Sequence, residues 1–273
     1  MQVRSASYQH MQERQRDEIT KSVHDFYTAY PYPLLASPFS RFHRSFVKRL
    51  VKLWGFDPHN LRGLRLLDAG CGTGEKSVYL ASMGAEVTAI DICERQLAYA
   101  KRLAEKHSLD IEFKRADILQ MALNKRFDGI MCLGVLHHTP DAWEGFAKLC
   151  SHLTENGRIL LGLYNTYSRV HYRILRTAVR GLHGNDPKEI MRFINTSPLA
   201  LPLRTASEHT LYDRYAVPYE SYHTLGEVRR RFAENDMVID AISPSTLMNN
   251  DLLTQLYWLA RGKSFFIVAG HKE

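Results

Sequence analysis

The sequence predicts an α/β protein: a mostly parallel sheet with helices on both faces, an N-terminal helical extension and an inserted cap. Three observations carry this. Apolar runs of strand length alternate with helical patterns between about residues 63 and 165. The first run delivers into a glycine-rich turn, Asp68-Ala69-Gly70-Cys71-Gly72-Thr73-Gly74, that opens a helix. Acidic residues then stand at the ends of three successive strands, at Asp68, Asp91 and Asp117. Parallel strands joined through helices need right-handed crossovers, and those place helices on both faces.

Residues 1–62 read as a helical, aromatic cap. Ser37-Pro38 is a helix start, with serine as N-cap and proline at the first helical position. Phe39, Phe42, Phe46, Leu50, Leu53 and Trp54 recur at three- and four-residue steps, and Gly55 can end the helix. Arg41, Arg44, Lys48, Arg49 and Lys52 fall on the other face. Such a helix either lies on a membrane or packs its aromatic stripe on the main domain, and packing is the expectation.

Residues 63–273 read as the main domain, with an inserted cap at 166–222. Leu64 to Leu67 is a buried strand, Glu75 to Met83 a helix closed by Gly84, and Glu86 to Ile90 the next strand. Glu94 to His107 is a helix with Leu97, Ala100 and Leu103 on one side. Strands follow at Ile111 to Lys114, Gly129 to Leu133 and Arg158 to Leu163, with a helix from Pro140 to Leu153 that stops before Asn156-Gly157. The segment 166–222 is too long for a simple loop. It holds Gly184-Asn185-Asp186-Pro187 and two further prolines, Pro198 and Pro202. The alternating pattern then returns, as a helix from Thr224 to Asn235 and strands at Met237 to Ile242 and Ser264 to Gly270.

With 273 residues, 45% hydrophobic and 24% charged, the composition is that of a globular protein. No apolar run approaches the roughly 20 residues of a bilayer span. The polar N-terminus does not read as a secretory signal, so a cytoplasmic location is expected. Cys71, Cys93, Cys132 and Cys150 are scattered without metal-site spacing, so reduced thiols and no structural metal are expected. The formal charge of +7 permits nucleic acid as a partner without establishing it.

The glycine turn reads Gly70-x-Gly72-x-Gly74, with Glu75 where a dinucleotide turn needs a third glycine. A carboxylate there opposes a pyrophosphate, but not a ligand with an ammonium group or a bare ribose. Asp68 can accept from an amino group. Asp91, about 20 residues beyond the loop, stands where a carboxylate can accept from both ribose hydroxyls. Asp117 can accept from an adenine amino group while Ile118 lines the ring.

These residues carry a family resemblance. Leu66-Leu67-Asp68-Ala69-Gly70-Cys71-Gly72-Thr73-Gly74 resembles motif I of the class I S-adenosylmethionine-dependent methyltransferases. Glu86 to Asp91 resembles the second motif and Ala116-Asp117-Ile118 the adenine-contacting one. Phe127 to His138 resembles the fourth-strand motif of the ubiquinone/menaquinone-biosynthesis-like branch, and Asn156 to Leu160 the approach to the fifth strand. The resemblance implies a Rossmann-like, mostly parallel seven-stranded sheet ending in an antiparallel strand. It implies S-adenosylmethionine as cofactor, S-adenosylhomocysteine as product, and no metal. The cofactor residues it implies are Asp68, Gly70, Cys71, Gly72 and Gly74 at the methionine moiety, Asp91 at the ribose, Asp117 and Ile118 at the adenine, the backbone of Leu133, and also Ile92. Cys93 stands where the family often has serine.

Methyl transfer asks the protein mainly to hold the nucleophile in line and exclude water, with a base only where a proton must leave. His137 is the candidate base, with His138 beside it at the expected pocket mouth; the alternative is that both shape the loop. Tyr30 and Tyr32, in Tyr27-Thr28-Ala29-Tyr30-Pro31-Tyr32-Pro33, either reach cofactor or substrate or simply pack. Tyr164 and Tyr167 are expected to line the substrate site. Arg169, Arg173, Arg176 and Arg180 share a helical face that either binds an acidic substrate or stays solvated. A small-molecule acceptor is the favoured reading. RNA or protein is the second, suggested by the charge, and a non-catalytic cofactor-binding module the third. The oligomeric state is not encoded in these motifs.

Overall fold

The computed structural model describes residues 2–32, 37–198, 200, 207–245 and 250–273, with backbone alone for 2–10. Pro33 and Pro202 of the sequence reading lie outside them. The chain forms two compact units. One comprises Met1–Pro31, His138–Pro140 and Val170–Glu220; the other comprises Tyr32–His137, Asp141–Arg169 and Ser221–Glu273.

The elements run α1 (Gln2–Ala29), α2 (Arg41–Trp54), β1 (Arg65–Ala69), α3 (Glu75–Ser82), β2 (Glu86–Asp91), α4 (Glu94–Lys106), β3 (Ile111–Arg115), β4 (Phe127–Leu133), α5 (Ala142–Ser151) and β5 (Leu153–Tyr164). They continue as α6 (Val170–His183), α7 (Pro187–Thr196), α8 (Glu208–Leu211), α9 (Leu225–Ala233), β6 (Met237–Ser243), α10 (Asp251–Ala260) and β7 (Phe265–Lys272). The seven strands form one sheet in the order β3-β2-β1-β4-β5-β7-β6. β1 to β5 run parallel, and β7 is antiparallel to both β5 and β6. This is the predicted fold class.

Alternation along the strands divides the core between the two sheet faces. Leu67, Ile130, Ile159 and Val268 pack with Phe146 of α5, Phe232 of α9 and Trp258 of α10. Their neighbours Leu66, Met131, Leu160 and Ala269 pack on the opposite face with Val47, Leu50, Val51 and Trp54 of α2. Both sides of each central strand are therefore dry, which is why these strands read as continuous apolar runs.

The N-terminal region expected as one cap, 1–62, is divided between the units. Phe26 of α1 packs with Val179, Ile190 and Tyr215 in the first unit, whereas α2 lies on the sheet of the second. Two details of α2 are corrected. Its N-cap is Ser40, whose hydroxyl accepts from the His43 N–H, so the helix starts at Arg41 rather than at Pro38. Phe42, expected to pack, is 75% exposed, and Phe46 is also exposed. Leu50 and Trp54 are buried as expected, joined by Val47 and Val51, with Phe39 and Leu53 partly buried beside them. Gly55 does end the helix, with φ of +90°.

The expected insertion supplies α6, α7 and α8 to the first unit, where Val179, Ile190, Met191 and Ile194 form its core with Leu211 and Tyr215. Of the four arginines Arg173 is exposed, whereas Arg176 and Arg180 read differently from either expectation. Arg180 donates to the carbonyls of Tyr215, Ala216, Val217 and Pro218. Arg176 donates to the Val217 carbonyl and pairs with Glu220 at 2.7 Å. These side chains hold together a segment whose carbonyls follow an irregular π-helical turn, Tyr212–Ala216. No helix among the described residues is long and apolar enough to cross a membrane.

Candidate functional site

The site grows from the end of β1. Leu66 and Leu67 bury the strand, and the chain then turns through Gly70, Gly72 and Gly74, all at positive φ (+77°, +55° and +79°). Gly74 is required twice over, by its φ and because a Cβ there would sit 2.6 Å from Ala100 Cβ of α4. Gly72 is different: a Cβ on it would meet nothing within 4 Å. Gly134, directly after β4, has the same property and a φ of +80°. The loop therefore packs tightly at Gly74 and opens into free space at Gly72 and Gly134, a cradle of backbone.

Asp91 ends β2 beside this opening. Its Oδ2 accepts the Gly72 N–H at 2.9 Å and its Oδ1 accepts the Cys93 N–H at 2.8 Å. Burial pushes its pKa up, and the two amide donors pull against that rise. A carboxylate has about four lone-pair positions, so two remain for a ligand's hydroxyls. Ile92 follows it, half buried. Cys93 precedes α4 as its N-cap, and its thiol does not cap the helix.

Asp68 lies deeper than the sequence suggested. It is 1% exposed, and its Oδ2 accepts the Ser77 hydroxyl of α3 at 2.6 Å. Burial raises its pKa as well. Its side chain ties β1 to α3 beneath the loop, so it braces the glycine turn from below. Thr73 Oγ1 donates to Glu75 at 2.6 Å, which holds the helix start. Cys71 is buried, and burial pushes its thiol up. Ser77 was missed in the sequence; its only signal was a hydroxyl three residues past the last glycine.

Asp117 stands two residues beyond β3 rather than at its end, because the strand stops at Arg115. Its Oδ1 caps the following turn by accepting the Leu119 N–H at 2.9 Å. Ile118 is buried in the core with Leu136 and Phe146. Leu133 ends β4 and is half buried.

The histidines are not at a mouth. His137 is 0% exposed, and its ring stacks on Tyr164 with centroids 3.7 Å apart. The guanidinium carbon of Arg169 lies 3.5 Å from the Tyr164 ring centroid, and Phe265 meets that ring edge-on at 6.1 Å. His137 and Tyr164 are therefore parts of a stack that joins the ends of β4 and β5. Tyr167 is half buried, and its N–H donates to Asn165 Oδ1 at 2.9 Å. Within the first unit, His138 donates from Nδ1 to the Tyr219 carbonyl at 2.9 Å, and Tyr30 stacks on Tyr212 at 4.4 Å. Tyr32 is exposed.

A family profile described as "Methyltransferase domain" matches residues 66–157. A putative methyltransferase from a Geobacillus species is 33% identical over 175 residues, covering 63% of this chain and 67% of that relative. The chain belongs to the class I S-adenosylmethionine-dependent methyltransferase family. A ubiquinone biosynthesis O-methyltransferase from Methylocella silvestris is 33% identical over 174 residues, which cover 60% of this methyltransferase-family chain. The match spans 65% of that relative, and 42% of an uncharacterized Synechococcus relative that is 34% identical. Among solved structures, PKMT2 from Rickettsia typhi in complex with AdoHcy superposes with a TM-score of 0.67 at 17% identity, over 89% of this chain and 55% of that one. ChlM, the magnesium protoporphyrin IX methyltransferase from Synechocystis with bound SAH, gives 0.57 at 19% identity, over 96% and 99%. At such identities the two structures speak for the methyltransferase fold alone.

Proposed function

We propose that the chain binds S-adenosylmethionine at the Gly70–Gly74 loop and transfers its methyl group to a small-molecule oxygen, nitrogen or other nucleophile. The observation that carries this reading is the Asp91 carboxylate, fixed by the Gly72 N–H at 2.9 Å beside the open ground over Gly72. When bound, the cofactor supplies an electrophilic methyl group on a sulfonium. Asp91 accepts from the ribose hydroxyls, and the backbone around Gly72, Gly134 and Leu133 meets the methionine end. Asp117 keeps one carboxylate oxygen for the adenine amino group. Asp68 braces the loop through Ser77 rather than touching the ligand.

The chain's contribution to chemistry is then positioning and exclusion of water. His137 is fully buried with its ring stacked on Tyr164, so it is assigned to holding the β4 and β5 ends in place. Tyr167 is the remaining candidate of the strand-end tyrosines for an acceptor contact. A small-molecule acceptor is supported by the Methylocella relative, whose name describes O-methylation in ubiquinone biosynthesis.

Labelled cofactor incubated with cell extract, then fractionated into small molecules, RNA and protein, tests the assignment. Label in the small-molecule fraction is the expected result. Label in RNA or protein would replace the acceptor class while leaving the cofactor site standing. Cofactor binding with no transfer to any fraction would favour the non-catalytic module.

A further inference from the structure

Helix α10 is built inside out. Its inward residues are Thr254, Gln255 and Trp258, all buried, and Gln255 Oε1 accepts the Leu225 N–H at the start of α9. Its outward residues are Leu252, Leu253, Leu256, Tyr257 and Leu259, between 39% and 54% exposed. These positions follow the helical repeat, so they form one face, and no charged residue interrupts it. A soluble helix normally shows the opposite pattern. A contiguous apolar face rimmed by polar groups marks an interaction surface.

Charge at the rim selects among occupants. Arg261 and Lys263 follow the helix C-terminus, and Arg261 lies over the Tyr257 ring at 5.5 Å. At the N-terminus Arg229 of α9 grips the carboxylate of Asp251 at 2.9 and 3.0 Å, so the nearest acid is neutralised. The apolar face is thus cationic at one end and balanced at the other, on a chain of net charge +7. A second copy would bring like charge to like. A protein hot spot draws on Trp, Tyr and Arg more than on leucine. A convex aliphatic helix with flanking cations that snorkel, and a tyrosine at its edge, suits the boundary of an anionic bilayer.

We propose that α10 is a peripheral docking surface for an anionic lipid membrane, with Leu252, Leu253, Leu256 and Leu259 entering the acyl boundary and Arg261 and Lys263 at the headgroups. This places the protein on the membrane surface and does not depend on the acceptor assigned above. The full chain should be sedimented with vesicles of phosphatidylcholine plus phosphatidylglycerol, and with phosphatidylcholine alone. Wild type is expected to sediment with the anionic vesicles at least about tenfold more, with the difference shrinking at about 0.5 M salt. The double variant Leu253→Glu, Leu256→Glu is expected to lose about tenfold or more of that binding while its thermal unfolding midpoint stays unchanged, since both side chains are exposed. Wild type remaining in the supernatant, or the variant binding as well as wild type, overturns the proposal. So does a dimer in sedimentation equilibrium that Leu256→Glu dissolves, because the face would then belong to a second copy.

Discussion

The carboxylate of Asp91 and the amide of Gly72, 19 residues apart in sequence, meet at 2.9 Å across the ends of β2 and β1. This contact joins the two features from which a cofactor site can be read, an open glycine loop and a strand-end acid. It also fixes the acid's orientation before any ligand arrives, which lowers the ordering cost of binding.

The two glycines of this loop should separate packing from binding. Gly74→Ala adds a Cβ against the fixed helix α4 at a positive φ, so unfolding free energy should fall by about 2 kcal/mol or more. Gly72→Ala meets no protein atom, so its stability loss should stay near the roughly 1 kcal/mol of left-handed strain. Its affinity for S-adenosylhomocysteine should nonetheless fall by more than tenfold. Denaturant unfolding and calorimetry on both variants check the contrast.

Cofactor affinity should depend on pH through Asp91. Its folded pKa is raised by burial, so in the free chain its contribution favours folding below the usual carboxylate range and is lost as pH rises through the raised value. Ribose hydroxyls that donate to the carboxylate favour its charged form. Affinity should therefore rise with pH through that range and level off above it. Asp91→Asn should flatten the profile in a calorimetric pH series.

The pair Arg176–Glu220 should matter for stability rather than for substrate. Both side chains are nearly buried, so Arg176→Met takes the guanidinium away from the buried Glu220 carboxylate, at a cost of about 3–5 kcal/mol. Thermal unfolding measures this. An Arg176→Met chain of unchanged stability would return the residue to the substrate-binding role.

His137→Ala should act through packing. The ring is fully buried against Tyr164, so its loss leaves a cavity and about 2 kcal/mol or more of destabilisation by urea titration. A variant of full stability and lost turnover would instead reinstate His137 as a base.

What the sequence displayed and what it hid follow from the range of each interaction. The β1 loop, the caps at Thr224 and Gly55, and the sheet strands were legible because their signals are local: glycines at positive φ, a capping box, dry apolar runs. Asp91 was legible because strand ends converge in this topology. The burial of His137 was not, because it is decided by Tyr164 and the segment at Ser221, whose N–H donates to the His137 carbonyl at 2.7 Å from far along the chain. The arginine face misled for the same reason: Arg176 and Arg180 reach carbonyls more than 30 residues away. Helix α10 escaped notice since its apolar residues face outward, which erases the usual contrast between buried and solvent faces.

The central claim is that the Asp91–Gly72 arrangement holds S-adenosylmethionine. Isothermal titration of the full chain with S-adenosylhomocysteine, beside Asp91→Ala, tests it most directly. The account predicts saturable one-to-one binding by wild type and a loss of tenfold or more in the variant, about 1.4 kcal/mol or greater. Absence of binding by wild type, or equal affinity in Asp91→Ala, would contradict it.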